Sequence, residues 1–424
     1  MVVQMETLRC YFVIDMKSFF ASVECVERGL DAMKARLVVA DNSRTKKTIC
    51  LAVSPAMKAL GVKNRCRLFE IPDNIDYIIA QPRMRKYIEY SSKIYQIYLK
   101  YVDPKDIHVY SIDECFLDVT TYLKLYKIRA KDFAKKLMDE IMNSLGIPAT
   151  CGIGTNMFLA KIALDITAKH RSDRIGYLTE EKFKKELWHH KPITDFWGIS
   201  TGIEKRLKNH GIEDMFDLAH FDEDALYKEF GVNAELLIDH SKGVETCLME
   251  DIKNYKTKSK SFSSSQILPC AYSKEDAKIV LDEMIQEGCY RLISEQVITP
   301  LLHIYISFEN KMEEGVKGAK RFSPTNLPSK IIPEAMSLFD EIVKSDDIRR
   351  IGYSFSDIMD ESNKQIDFFT DYTKENKEKN LMQTILKIKR KFGKNSLLRG
   401  VDYVDKATQR DRNKQIGGHK SGEN

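Results

Sequence analysis

Along this chain the apolar residues switch between a period of two and a period near 3.6, and the order of the switches outlines an architecture. The run "RCYFVID" reads as a buried strand that stops at Asp15. Helical spacing follows at Phe19, Phe20, Val23 and Val26 and ends at Gly29, a residue suited to a C-cap. Residues 31–83 form a small mixed segment, with strands "RLVVA" and "TICLAVS" and a short helix from Pro55 to Leu60 stopped by Gly61. A Tyr-rich helix over 84–101 leads to "PKDIHVYSIDECFLDVT", which reads as a hairpin. Apolar Phe133, Leu137, Ile141 and Leu145 predict another helix, followed by the strand "ATCGIG" and the helix "NMFLAKIALDITAK". Strand, helix, hairpin, helix, strand is the order of a ferredoxin-like sheet, here with an insertion after its first helix.

From Glu180 to about Lys242 the pattern is all-helical, with turns at Gly198, Gly202, Gly211 and Gly231. The stretch "NYKTKSKSFSSS" reads as a linker into a second α/β unit. There "LLHIYISFE" and "IRRIGYSFSDI" are strands, and 274–295 and 331–344 are helices. Beyond Glu361 come a short apolar motif, a Lys-rich helix and a polar end, "RDRNKQIGGHKSGEN", expected to be disordered. There is no internal repeat.

A length of 424 residues exceeds one core and implies two to four domains. With 43% hydrophobic and 30% charged residues the chain has a soluble protein's composition, and no stretch approaches the roughly 18 apolar residues of a membrane span. "MVVQMETLRC" lacks the apolar region of a signal peptide, so the expected location is cytoplasmic, without a membrane partner. The nine cysteines contain no CxxC pair, which argues against a zinc module or a disulfide framework. Net charge is +5, but residues 371–424 carry 14 Lys and Arg against 7 Asp and Glu, so the remaining 370 residues sum to −2. Smaller basic clusters at Lys253, Lys256, Lys258 and Lys260, and at Lys317, Lys320 and Arg321, suit a protein that follows a phosphate backbone.

Chemistry enters at "VYSIDECFLDV", residues 109–119, where Asp113 and Glu114 interrupt alternating apolar residues. Ile107 and Val109 precede them, and Cys115, Leu117 and Val119 follow, as in two strands each buried on one face. A straight strand would drive one carboxylate into the core, whereas a turn or bulge at Ser111 to Glu114 lets both acids enter one cleft. The plainer alternative is a hairpin tip whose acids face water. Asp15 ends the strand expected beside the hairpin, and three carboxylates brought together repel unless cations are shared among them. Hard oxygen ligands suit Mg²⁺, and a pair of such ions supports an in-line phosphoryl displacement.

With Asp15 beside "DMKSFFASVE", the hairpin "YSIDECFLDV" and "GIGTNMFLAKIALD" in that order, the sequence resembles the Y-family translesion DNA polymerases. The resemblance is to the UmuC and DinB branch, the ImpB/MucB/SamB group, and most of all to UmuC-like members of Gram-positive bacteria. It implies an α+β, right-hand-shaped polymerase with a ferredoxin-like palm, small fingers, a helical thumb with a helix-hairpin-helix turn, and a separate α/β little finger. The implied boundaries are palm 1–30 and 84–178, fingers 31–83, thumb 179–245, linker 246–257, little finger 258–358 and C-terminal tail 359–424.

Carried over position by position, Asp15 and Asp113 resemble the aspartates that bridge two Mg²⁺ ions, Glu114 the third acid, and the Met16 carbonyl a further ligand. Phe20 matches the steric gate beneath the deoxyribose, and Phe19 and Phe20 together belong to the nucleotide pocket. In "SPAMKALGV", Lys58 takes the basic position that faces the triphosphate. Pro55 stands where many relatives have a phosphate-contacting tyrosine, and Lys17 where some keep an aspartate. The second phosphate lysine usually follows the "LAKIA" lysine by seven residues. That spot is Ala168 here, so the role falls to Lys169, with Lys161 as an alternative.

"FWGISTGIEKRL" resembles a helix-hairpin-helix turn that would hold a DNA phosphate through Gly198, Ser200 and Gly202, or else Ser200 serves only as a helix cap. Lys258, Lys260 and Arg321 are the little-finger candidates for duplex backbone. "QIDFF", residues Gln365, Ile366, Asp367, Phe368 and Phe369, resembles the peptide that docks on the bacterial sliding clamp (β). The implied activity is low-fidelity, DNA-directed DNA synthesis on primer-template DNA with dNTPs, near the nucleoid. A recombinase filament or other damage-response proteins are further candidate partners. The rival from another class is a non-catalytic DNA- and clamp-binding regulator, and a nucleotide cyclase is the rival enzyme.

Overall fold

Up to residue 255 the first unit's strands, in chain order, are Tyr11–Met16 (β1), Leu37–Val39 (β2), Ala52–Val53 (β3), Ile78–Ala80 (β4), Ile107–Val109 (β5), Glu114–Asp118 (β6), Ala149–Gly154 (β7) and Ile175–Leu178 (β8). The computed structural model describes residues 9–43, 45–257, 260–310, 314–363 and 371–422. They form two units, Met1–Tyr255 with His419–Asn424, and Lys256–Gly418. No helix among the described residues is long and apolar enough to cross a membrane, and all nine cysteines are free thiols.

The main sheet of the first unit has the order β5-β6-β1-β7-β8, with β1 antiparallel to both β6 and β7 and with β8 parallel to β7. This is the ferredoxin-like arrangement read from the sequence, extended by β8. On one face Phe12, Ile14 and Leu117 meet Phe133, Leu137 and Ile141 of the helix Ala130–Leu145. On the other, Tyr11, Val13 and Phe116 meet Met157, Ala160 and Leu164. β6 is therefore buried on both faces rather than on one, and Val109, placed in the core by its alternation, is half exposed. The insertion between the helices Phe19–Val26 and Met84–Leu99 carries a second small sheet, β3-β2-β4.

Gly152 and Gly154 let the helix Met157–Ile162 lie directly on β7. A Cβ at Gly152 would come within 2.0 Å of the Ala160 carbonyl oxygen, and one at Gly154 within 2.2 Å of the Ala160 nitrogen. Helices Glu180–Leu187, Thr201–Asn209, Met215–His220, Glu223–Phe230 and Asn233–Lys242 then bear out the all-helical segment. Within the stretch expected as linker, Met249–Asn254 is a helix whose Met249 is buried beside Tyr11 and Phe116.

In the second unit Phe262–Tyr272 (β9), Val297–Phe308 (β10), Val316–Thr325 (β11) and Ile348–Ser356 (β12) form a sheet of order β11-β10-β12-β9. The helices Lys274–Ser294 and Pro328–Ile342 bury one of its faces. The start of β9, Phe262–Ser265, was expected as linker, because it carries one apolar residue, Phe262, followed by three serines.

Through Gly422 the polar C-terminal end is ordered, against expectation. In the second unit, the backbone N–H groups of Thr408 and Gln409 donate to the buried Glu283 carboxylate at 2.9 and 3.1 Å. In the first unit, Lys420 pairs with Asp41 at 3.1 Å and the Arg85 N–H donates to the Ser421 carbonyl at 3.0 Å. Specific polar contacts, invisible to hydropathy, hold this segment in place.

Candidate active site

Asp15 lies opposite Glu114 in the β1–β6 ladder, and the Met16 N–H donates to the Asp113 carbonyl at 3.0 Å. The chain bends just before β6: the N–H groups of Tyr110 and Ser111 both donate to the Glu114 carbonyl, at 3.0 and 3.1 Å, and Ser111 Oγ donates to Asp113 Oδ1 at 2.8 Å. This is the break expected between Ser111 and Glu114. Because Glu114 is buried, the hairpin is not a solvent-facing tip.

Burial, then the charges of Asp113 and Glu114, push the Asp15 pKa up to about 8, with Lys161 and Lys169 acting in the opposite sense. Burial also raises Glu114, against an ion pair at 2.7 Å with Lys161 Nζ. Lys161 reaches Asp165 at 3.0 Å, and Lys169 reaches the same carboxylate at 3.3 Å. The sequence reading had the three acids converging on one point. Among the described residues no group of three His, Cys, Asp or Glu side chains stands at metal-ligand spacing. Asp15 and Glu114 lie at neighbouring strand ends with Asp113 just before β6, all three near enough for the other two to raise the Asp15 pKa, and Glu114 is also paired with Lys161. The surplus negative charge that raises Asp15, and a donor set of carboxylates with the Met16 carbonyl, fit a hard divalent cation.

The raised pKa has a consequence for stability. The folded state holds the Asp15 proton up to about pH 8, whereas an unfolded chain releases it near 3.8. This contribution is full below the lower value and is lost as pH rises through the upper one. The thermal midpoint of metal-free protein should therefore fall more steeply between about pH 5 and about pH 8 for wild type than for Asp15→Asn. Parallel curves would show that Asp15 does not titrate in that range.

Cations gather beside the acids. Partial desolvation lowers the Lys58 pKa; Asp15 opposes that shift, and Lys17 and Lys169 add to it, so fingers and palm lysines share the field of Asp15. Ser54 caps the helix Pro55–Ala59, its Oγ accepting from the Met57 N–H at 3.4 Å, and Pro55 fills the first helical position, where a missing amide is harmless. The one-residue offset of Lys169 also has a structural answer. Met157–Ile162 is α-helical, but Ala163–Thr167 is a π-helix, which takes one more residue per turn. The eighth residue after Lys161 thereby returns to the face that the seventh would occupy in a continuous α-helix.

Phe19 is buried in the palm core, which leaves Phe20 as the partly exposed member of the pair. Ser200 Oγ caps the helix Thr201–Asn209 by accepting from the Ile203 N–H at 3.3 Å. Gly198 has a positive φ of 92° and faces open space, and a Cβ at Gly202 would meet only Ser200 Oγ, at 3.7 Å, so the turn presents backbone as well as a cap. In the second unit Arg321 is exposed and pairs with Asp357 at 2.7 Å, and Lys260 is exposed just before β9. Across the uncovered sheet face, Lys317, Tyr305, Gly352 and Ser265 align in one cross-strand row. Lys258 and the motif Gln365–Phe369 lie outside the described residues. Sequence reasoning left Lys161 as an alternative phosphate ligand and missed its pairing with Glu114; no local pattern links a helix lysine to a distant strand.

Residues 14–165 match the impB/mucB/samB family, and residues 259–368 match the impB/mucB/samB family C-terminal domain. The chain belongs to this family, the UmuC/DinB-like Y-family polymerases. UvrX of Bacillus subtilis (strain 168), named for UV-damage repair, is 32% identical over 96% of this chain and 97% of its own. DNA polymerase IV 2 of the same organism is 30% identical, over 96% and 98%. The fold is similar to that of the Y-family DNA polymerase chimera Dbh-Dpo4(243-245)-Dbh, with a TM-score of 0.64, 22% identity, and coverage of 83% of this chain and 99% of that one.

Proposed function

We propose that this protein is a DNA-directed DNA polymerase that extends primers across damaged templates with low fidelity. The observation that carries the reading is the pairing of Asp15 with Glu114 at the ends of the two central palm strands, in a field shared with Lys58 and Lys169. Two Mg²⁺ ions held by Asp15, Asp113, Glu114 and the Met16 carbonyl would activate the primer 3′-hydroxyl and neutralise charge on the reacting phosphates. The chain's own groups position the reactants. Lys58 and Lys169 neutralise the triphosphate, Lys161 opposes the rise that burial gives the Glu114 pKa, and the Phe20 ring underlies the sugar. The Gly198–Gly202 turn holds a phosphate of the DNA, and the open sheet face of the second unit, with Arg321 and Lys260 near its edges, follows duplex backbone without reading sequence.

Extension of a primed template with Mg²⁺ and dNTPs tests the reading; DNA binding without extension would favour the regulator. The family-like peptide Gln365–Phe369 supports docking on a sliding clamp. Replacing Phe368 and Phe369 with Ala should remove stimulation by the clamp. Loss of unstimulated synthesis as well would assign those aromatics to the folded body.

A further inference from the structure

Phe20 carries no hydroxyl with which to fix its own ring, so something beneath it must hold the ring in place. Its neighbour there is Tyr87 of the helix Met84–Leu99, stacked with ring centroids 4.4 Å apart and planes 14° apart. Phe19 touches Phe20 only at a tilt, 5.9 Å away. Tyr87 is fully buried, and its hydroxyl donates to Glu24 Oε1 at 2.8 Å.

Glu24, also fully buried, is gripped from two sides. Arg83 Nε and Nη2 donate to its two oxygens at 2.9 Å each, a forked geometry that fixes the carboxylate in plane, and Arg28 adds a further bond. Burial pushes the Glu24 pKa up, but the bonds from Arg83, Arg28 and Tyr87 outweigh it and keep the group ionised. A satisfied buried network of this kind is rigid, because any displacement leaves charge unpaired.

We propose that Tyr87, anchored through Glu24 to Arg83, is the positioning residue that sets the height of Phe20 and with it the discrimination between deoxyribo- and ribonucleotides. The inference rests on the reading of Phe20 as the steric gate. A gate excludes a 2′-hydroxyl only if its ring cannot retreat, and a displacement of a fraction of an ångström is enough to admit one. With Tyr87 shortened, the Phe20 ring drops into the vacated space and the ribose fits. Tyr87→Phe keeps the plane under the gate and loses only the anchor.

The test is the ratio of kcat/KM for a dNTP to that for the matching rNTP, each measured on the same enzyme preparation, so that the folded fraction cancels. Phe20→Ala serves as the reference. Tyr87→Leu and Tyr87→Met, two replacements that keep apolar volume without a plane, should each lower the ratio by roughly tenfold or more, with Tyr87→Phe, which loses the anchor alone, falling between them and wild type. If Phe20→Ala relaxes the ratio and whichever Tyr87 variant folds leaves it unchanged, the inference is overturned and Tyr87 is only core. If Phe20→Ala itself changes nothing, the gate reading fails, and this inference with it.

Discussion

Asp113→Asn should reduce primer extension on the order of 10³-fold or more, while leaving the thermal midpoint within a few degrees of wild type. The side chain is only half buried, and Ser111 Oγ can donate to an amide oxygen as it does to Oδ1, so the bend before β6 survives the exchange. What is lost is one negative charge beside Asp15. That loss should show in two ways. Divalent cations should be held more weakly, and the Asp15 pKa should fall from its raised value, since repulsion from Asp113 is the second cause of the rise after burial. Single-turnover extension together with titration of the metal-free protein reads both. Near-normal extension would remove Asp113 from the chemistry.

Gly152→Ala should destabilise the first unit by about 3 kcal/mol or more, at the upper end of what overpacking costs. The new methyl would meet the Ala160 carbonyl oxygen at 2.0 Å and the Leu164 nitrogen at 2.3 Å, both backbone atoms that cannot swing aside. Nor can the helix retreat locally, because Gly154 and Gly176 hold the same segment equally close, with Ala160 N and Ala163 O at 2.2 and 2.3 Å from their Cβ positions. Any adjustment carries Lys161 away from Glu114 and disturbs the π-turn that orients Lys169. Gly400→Ala, with open space around it, is the control and should be silent in the same denaturation experiment. An unchanged midpoint for Gly152→Ala would mean that the helix does not rest on β7 as described.

The palm was legible because its signals are local. An apolar run ending at Asp15, a hairpin interrupted by acids and the order of helices between them fix which strand lies beside which. Where residues touch over long separations, the sequence is silent. Glu24 and Arg83 are 59 positions apart, and Tyr87 reads simply as one tyrosine among several on its helix. The edge strands β9 and β11 escaped detection because serines open β9 and Lys317, Arg321 and Ser323 fill most outer positions of β11, a composition that resembles a linker until the inner face is known. The ordered C-terminal end is held by backbone bonds to Glu283 and by the Lys420–Asp41 pair, and neither leaves an apolar trace. Lys169 is the instructive middle case: its type and neighbourhood were readable, but the offset of one residue made sense only with the π-turn in view.

The account depends on carboxylates at the ends of β1 and β6 sharing divalent cations during nucleotidyl transfer. Anomalous diffraction from crystals grown with Mn²⁺, primer-template DNA and a non-hydrolysable dNTP tests it most directly. The result predicted is a pair of peaks about 3.5–4 Å apart, bounded by Asp15 and Asp113, with the Met16 carbonyl and Glu114 completing the set. DNA and nucleotide in place with no anomalous peak between those carboxylates would contradict it.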